Sequence, residues 1–75
     1  MAHPQQAQRT AWVQIHTAGG WLPVIPYEQL PPGRVISMSA LGEAVAVLRD
    51  LAGAVRVTAR DPFRGGERAL EARVR

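Results

Sequence analysis

The chain has no cysteine, no lysine, two histidines and four aromatic residues among its 75 positions. Without cysteine there is neither a disulfide nor a thiolate metal site, so stability rests on packing, and nothing calls for an oxidising compartment. No apolar run approaches the length of a membrane span, because Gly42, Glu43, Arg49 and Asp50 interrupt the longest candidates. The start, "MAHPQQAQR", lacks the charged start and apolar run of a secretory signal. A cytoplasmic location is therefore expected. Residues 1–8 are polar and read as a disordered N-terminal tail, leaving residues 9–75 as a single domain. A domain of this size buries only about 60–65% of the surface its unfolded chain exposes, so its stability should be modest.

The charge that is present is uneven. Arg9, Arg34 and Arg49 balance Glu28, Glu43 and Asp50 in the first part of the chain, whereas Arg56, Arg60, Arg64, Arg68, Arg73 and Arg75 outnumber Asp61, Glu67 and Glu71 in the last part, which holds the whole excess of +3. The exclusive use of Arg beside many Ala, Gly and Pro also fits the codon usage of a GC-rich genome, which weakens the arginine count as a functional sign.

In "SMSALGEAVAVLRDLAG", Leu41, Ala44, Val45, Leu48, Leu51 and Ala52 recur at helical spacing, with Glu43, Arg49 and Asp50 off the stripe. Ser37 or Ser39 suits the N-cap and Gly53 the C-terminal stop. The spacing predicts a helix of about 14 residues, about 21 Å long. After it, "AVRVTAR" sets Val55, Val57 and Ala59 against Arg56, Thr58 and Arg60, the period of a half-buried strand. "RALEARVR" alternates likewise, placing Leu70, Ala72 and Val74 opposite Glu71, Arg73 and Arg75. Residues 67–75 also suit a helix, and the strand is the favoured reading. Centring a hairpin turn on Gly65 and Gly66 pairs Arg64 with Glu67 and Arg60 with Glu71. Pro62 cannot donate to a ladder, so a longer loop starting at Asp61 is the alternative.

"TAWVQIHT" puts Val13 and Ile15 on one side and Trp12, Gln14 and His16 on the other. A turn centred on Gly19 and Gly20 makes Trp12 face Tyr27, and Pro23 and Pro26 confine the returning segment to an edge. Val35 to Ser37 suits a further short strand. The expected fold class is α+β: a small two-layer sandwich in which one helix covers a mostly antiparallel sheet of four or five strands, two of its hairpins turning on Gly-Gly.

Chemistry has little to work with. Ser37, Ser39 and Thr58 are nucleophile candidates, with His16 as base and Asp50 or Asp61 as the group that would hold it, but no local signature links them. Two distant histidines do not make a metal site. "AGGW" and "RGGE" lack the length and lysine of a phosphate loop. "PVIPYEQLPP" can be read as a polyproline ligand, or more simply as an edge strand and loop that give Val24, Ile25 and Leu30 to the core. No catalytic, metal or cofactor residue is assigned, and the chain is read as non-enzymatic.

What is left is a binding module. Aromatic residues and Arg dominate interface hot spots, and an open sheet edge can accept a strand from a partner or from a second copy. The expected contact residues are Trp12, Trp21, Tyr27, Arg56, Arg60 and Arg73, acting through an open sheet face and edge strand on a protein or ribonucleoprotein complex. Size and style resemble accessory or inhibitor products of mobile elements, phages included. The alternative is direct nucleic-acid binding, with Arg for phosphates and aromatics for base stacking.

Overall fold

The segment read as a helix is a β-hairpin. In the computed structural model, which describes residues 10–61 and 63–75, the chain runs through β1 (Trp12–Thr17), β2 (Gly20–Pro26), a 3-10 turn (Tyr27–Gln29), β3 (Val35–Ala40), β4 (Glu43–Arg49), β5 (Val55–Arg60), β6 (Glu67–Leu70) and β7 (Ala72–Val74). The α+β expectation is thereby corrected: there is no packed helix among the described residues, and the strands form two antiparallel sheets ordered β2-β1-β7 and β3-β4-β5-β6. The disordered-tail reading of residues 1–8 and the reading of Pro62 lie outside the described residues.

The reason lies in Leu41 and Gly42. Both have positive φ, 58° and 72°, and they form the two-residue turn between Ala40 and Glu43. Positive φ at both central positions gives the twist that matches flanking strands. Val45 and Val47 then alternate into the core at 2% and 0% exposure, as β-branched residues do on a pleated surface. Leu41 and Leu51, members of the expected helical stripe, are 50% and 87% exposed. Ser37 and Ser39 are exposed strand residues of β3 rather than caps. Asp50 and Gly53 belong to the β4–β5 turn, where the Asp50 carboxylate accepts the N–H groups of Ala52 and Ala54, each at 2.9 Å.

Neither glycine pair centres its hairpin. The first turn is Ala18-Gly19, with Thr17 paired to Gly20 and His16 to Trp21. Thr17 Oγ1 donates to the Gly20 carbonyl at 2.7 Å and accepts the Gly19 N–H, and the positive φ of 108° falls on Gly20. An extra residue in β2, Val24, shifts the register so that Val13 meets Ile25 and Trp12 meets Pro26, not Tyr27. The β5–β6 loop starts at Asp61, and Arg60 pairs with Glu67. The expected Arg64–Glu67 and Arg60–Glu71 pairing is replaced: Arg68 makes a two-oxygen ion pair with Glu43 at 2.7 and 2.9 Å, and Glu71 lies 3.5 Å from His16.

The two sheets enclose one core of Val13, Ile15, Leu30, Val45, Val47, Val57 and Ala59. The C-terminal run joins them, since β6 pairs with β5 and β7 with β1, the change of sheet falling at Glu71. β2 is an edge strand, where Pro23 and Pro26 leave no ladder hydrogen bond unmade. No helix among the described residues is long and apolar enough to cross a membrane.

Candidate functional site

Alternation along β1 sends Val13 and Ile15 into the core and leaves Trp12, Gln14 and His16 on the outer face of the three-stranded sheet. The register brings Trp21 beside His16 on one flank and Arg73 beside Gln14 on the other. Trp12 and Arg75 exchange backbone hydrogen bonds at 3.2 and 2.9 Å, which fixes Arg75 at the end of the same ladder. Two of the three chain segments supplying this face lie about 60 residues apart, so it exists only because β7 returns to pair with β1.

The side chains on this face are already ordered. The Arg73 guanidinium reaches across β1 and lies 4.1 Å over the Trp21 ring, while its Nε donates to Gln14 Oε1 at 2.6 Å. His16 packs tilted against Trp21 with ring centres 5.0 Å apart, and its Nδ1 lies 3.5 Å from Glu71 Oε2. Glu71, His16, Trp21, Arg73 and Gln14 thus form a continuous chain of contacts. Desolvation of Arg73 and, secondarily, the charge of Arg75 lower the Arg73 pKa from its ordinary value; a guanidinium remains charged throughout the physiological range. Among the described residues, the Arg73 Nη groups have no hydrogen-bond partner, so the outer edge of the fork presents donors suited to a carboxylate or phosphate. Trp12 is 37% exposed.

The remaining expected contact residues are elsewhere. Tyr27 packs against the core, donates its hydroxyl to the Gly53 carbonyl at 2.7 Å, and carries the Arg49 guanidinium 4.3 Å over its ring. Arg49 Nη1 also donates to the Leu30 carbonyl at 3.2 Å, so this group ties the 3-10 turn to the β4–β5 end of the other sheet. Arg56 and Arg60 are on the outer face of the four-stranded sheet, opposite Leu48 and Glu67. That face holds a shallow depression of about 410 Å³ with Ala44, Ala46 and Thr58 among its lining and Val35, Ser37 and Arg60 at its sides. The structure therefore brings Trp12, Trp21 and Arg73 together and separates Tyr27, Arg56 and Arg60 from them.

Gln14 and Arg75 complete the cluster without having been singled out, and His16, weighed in the sequence only as a candidate base, joins it. The two-residue period of β1 already places Gln14 and His16 beside Trp12; no local signal connects Arg75 to them. Phe63, in the β5–β6 loop, is 95% exposed, and its N–H is held by the Asp61 carboxylate at 3.0 Å. No group of three or more potential metal ligands occurs among the described residues. No protein-family model, curated protein or solved structure matches this chain.

Proposed function

We propose that this chain is a non-enzymatic binding module of the cytoplasm whose working surface is the outer face of the three-stranded sheet, and that its partner is a protein, alone or within a ribonucleoprotein complex. The observation that carries this reading is the Trp12, Trp21 and Arg73 group, with Arg73 held over Trp21 at 4.1 Å and anchored by Gln14. Tryptophan and arginine are enriched among the few residues that carry most of the binding energy at protein interfaces. Side chains ordered before contact lose less conformational entropy on binding, which on typical scales amounts to about 0.5–1.5 kcal/mol for each rotamer-rich group. The open Nη edge of Arg73 matches an acidic side chain placed beside an apolar patch.

Nucleic acid is the less favoured ligand because the arginines divide between two faces. Arg56 and Arg60 point away from the tryptophans, leaving Arg73 and Arg75 as the cations beside them. A single strand tracking that face would meet few phosphate contacts. Anisotropy titrations of labelled single-stranded DNA, RNA and duplex DNA at low and physiological salt test this choice. The expected result is weak binding that Arg73→Glu hardly alters. Tight binding that weakens steeply with salt and is lost in Arg73→Glu would replace the protein partner by nucleic acid.

A further inference from the structure

The two sheets treat their edges differently. β2 carries Pro23 and Pro26, which leave an edge unable to accept a full ladder. β3, "VISMSA", is the outer strand of the four-stranded sheet and has no proline, no charge and no bulge; its six residues pair with β4 in unbroken register. Because Ala40 and Glu43 flank a two-residue turn, they form a hydrogen-bonded pair, and so do Met38 with Val45 and Ile36 with Val47. Alternation then turns the N–H and C=O groups of Val35, Ser37 and Ser39 away from β4, and none of them has another backbone partner among the described residues. Val35 is 56% exposed, and Ile36 and Met38, which pack against the core, stay partly exposed.

We propose that β3 is a homodimer interface, in which two copies pair their β3 strands antiparallel about a two-fold axis through Ser37 and join their sheets into one of eight strands. This register places Ser37 opposite Ser37 of the second copy and Val35 opposite its Ser39. All the outward N–H and C=O groups of Val35, Ser37 and Ser39 are satisfied by the same three residues of the copy, giving six backbone hydrogen bonds. On the other face Ile36 meets Met38 of the copy, which covers the parts of these two apolar side chains that the core leaves exposed.

The occupant is a second copy because the strand is self-complementary. A two-fold axis sets each residue against its own kind or its mirror position, which penalises charged strands through like-charge opposition; β3 has no charge to oppose. The one flanking cation, Arg34, falls opposite Ala40 of the copy, whose next neighbour across β4 is Glu43, the carboxylate that Arg68 already holds. Pairing closes after two copies, since a two-fold contact uses the β3 edge of both. The depression on the outer face borders Val35 and Ser37, and in the dimer the two depressions become one trough across the axis.

The test is sedimentation velocity over roughly 1 μM to 1 mM protein, spanning the usual range of weak self-association. The expected result is a reversible monomer–dimer equilibrium. Ser37→Pro removes an N–H that the monomer does not use and so should fold with an unchanged circular-dichroism spectrum, while raising the dimer Kd about tenfold or more through loss of the two axial hydrogen bonds. Ser37→Glu and Ser37→Lys should each weaken the dimer several-fold by placing like charges on the axis, and an equimolar mixture of the two should recover it. Trp21→Ala, on the other sheet, should leave the dimer unchanged. A monomer at every concentration, a dimer indifferent to Ser37→Pro, or a Glu/Lys mixture no tighter than either variant alone would overturn the proposal.

Discussion

Replacing Gly42 by alanine separates the hairpin from the helix by the sign of its effect. A helix interior would gain about 0.8–1 kcal/mol from the exchange, because alanine is the better helix former. In the hairpin, Gly42 holds φ at 72°, where a Cβ costs roughly 1–2 kcal/mol. The less flexible unfolded chain offsets about 0.4–1 kcal/mol of this. The expected net is a destabilisation of about 1 kcal/mol. No atom lies within 4 Å of the position a Cβ would take, so collision does not contribute and the backbone term is isolated. With a urea dependence of about 1 kcal/mol per M for a chain of this size, the urea midpoint should fall by about 1 M, and the melting temperature by about 4–8 °C. A rise in the midpoint would refute the hairpin. Leu41→Asn works in the opposite direction: asparagine suits positive φ and completes an Asn-Gly turn, so it should stabilise, whereas it would weaken a helix whose apolar stripe included Leu41.

Val47→Ala should cost about 2–3 kcal/mol in equilibrium unfolding, because Val47 is fully buried, and Leu51→Ala should change stability by less than about 0.5 kcal/mol, because Leu51 is 87% exposed; comparable losses would restore the helical stripe. Tyr27→Phe should lower stability by about 1 kcal/mol, through loss of the bond to the Gly53 carbonyl, and an unchanged urea midpoint would show that this link between the 3-10 turn and the β4–β5 turn contributes nothing.

Strand character was legible where only one period fits. β1, β5 and the β6–β7 run alternate, and the prolines of β2 point to an edge. The "LGEAVAVLRDLAG" stretch satisfies two periods at once: Ala44, Val45, Leu48, Leu51 and Ala52 recur at helical spacing, while Val45 and Val47 recur at strand spacing. The β-branching of the two valines and the Leu41-Gly42 turn tip it to β, aided by the flanking strands β3 and β5, which one segment read alone does not reveal. Adjacent glycines left the turn centre ambiguous, and Thr17, by hydrogen bonding to both Gly19 and Gly20, selects Ala18-Gly19. The candidate site was legible only in part. Trp12 shares a face with Gln14 and His16 by alternation alone, but Arg73 joins them through a pairing of β7 with β1 that spans most of the chain. Arg56 and Arg60 look equivalent to Arg73 in the sequence because all three alternate with core residues; the change of sheet at Glu71 is what puts them on different surfaces.

The central claim is that binding uses the Trp12, Trp21 and Arg73 face, and a pair of charge reversals tests it most directly. Arg73→Glu and Arg56→Glu change the net charge equally and sit on opposite sheets, so net charge cannot explain a difference between them. Each would be used, after nuclease treatment and a circular-dichroism check of folding, to co-purify partners from extract of the native cells beside the unaltered protein. The account predicts that one protein species captured by the unaltered chain falls at least about tenfold with Arg73→Glu and changes less than about twofold with Arg56→Glu. Equal loss in both, or loss confined to Arg56→Glu, would contradict it.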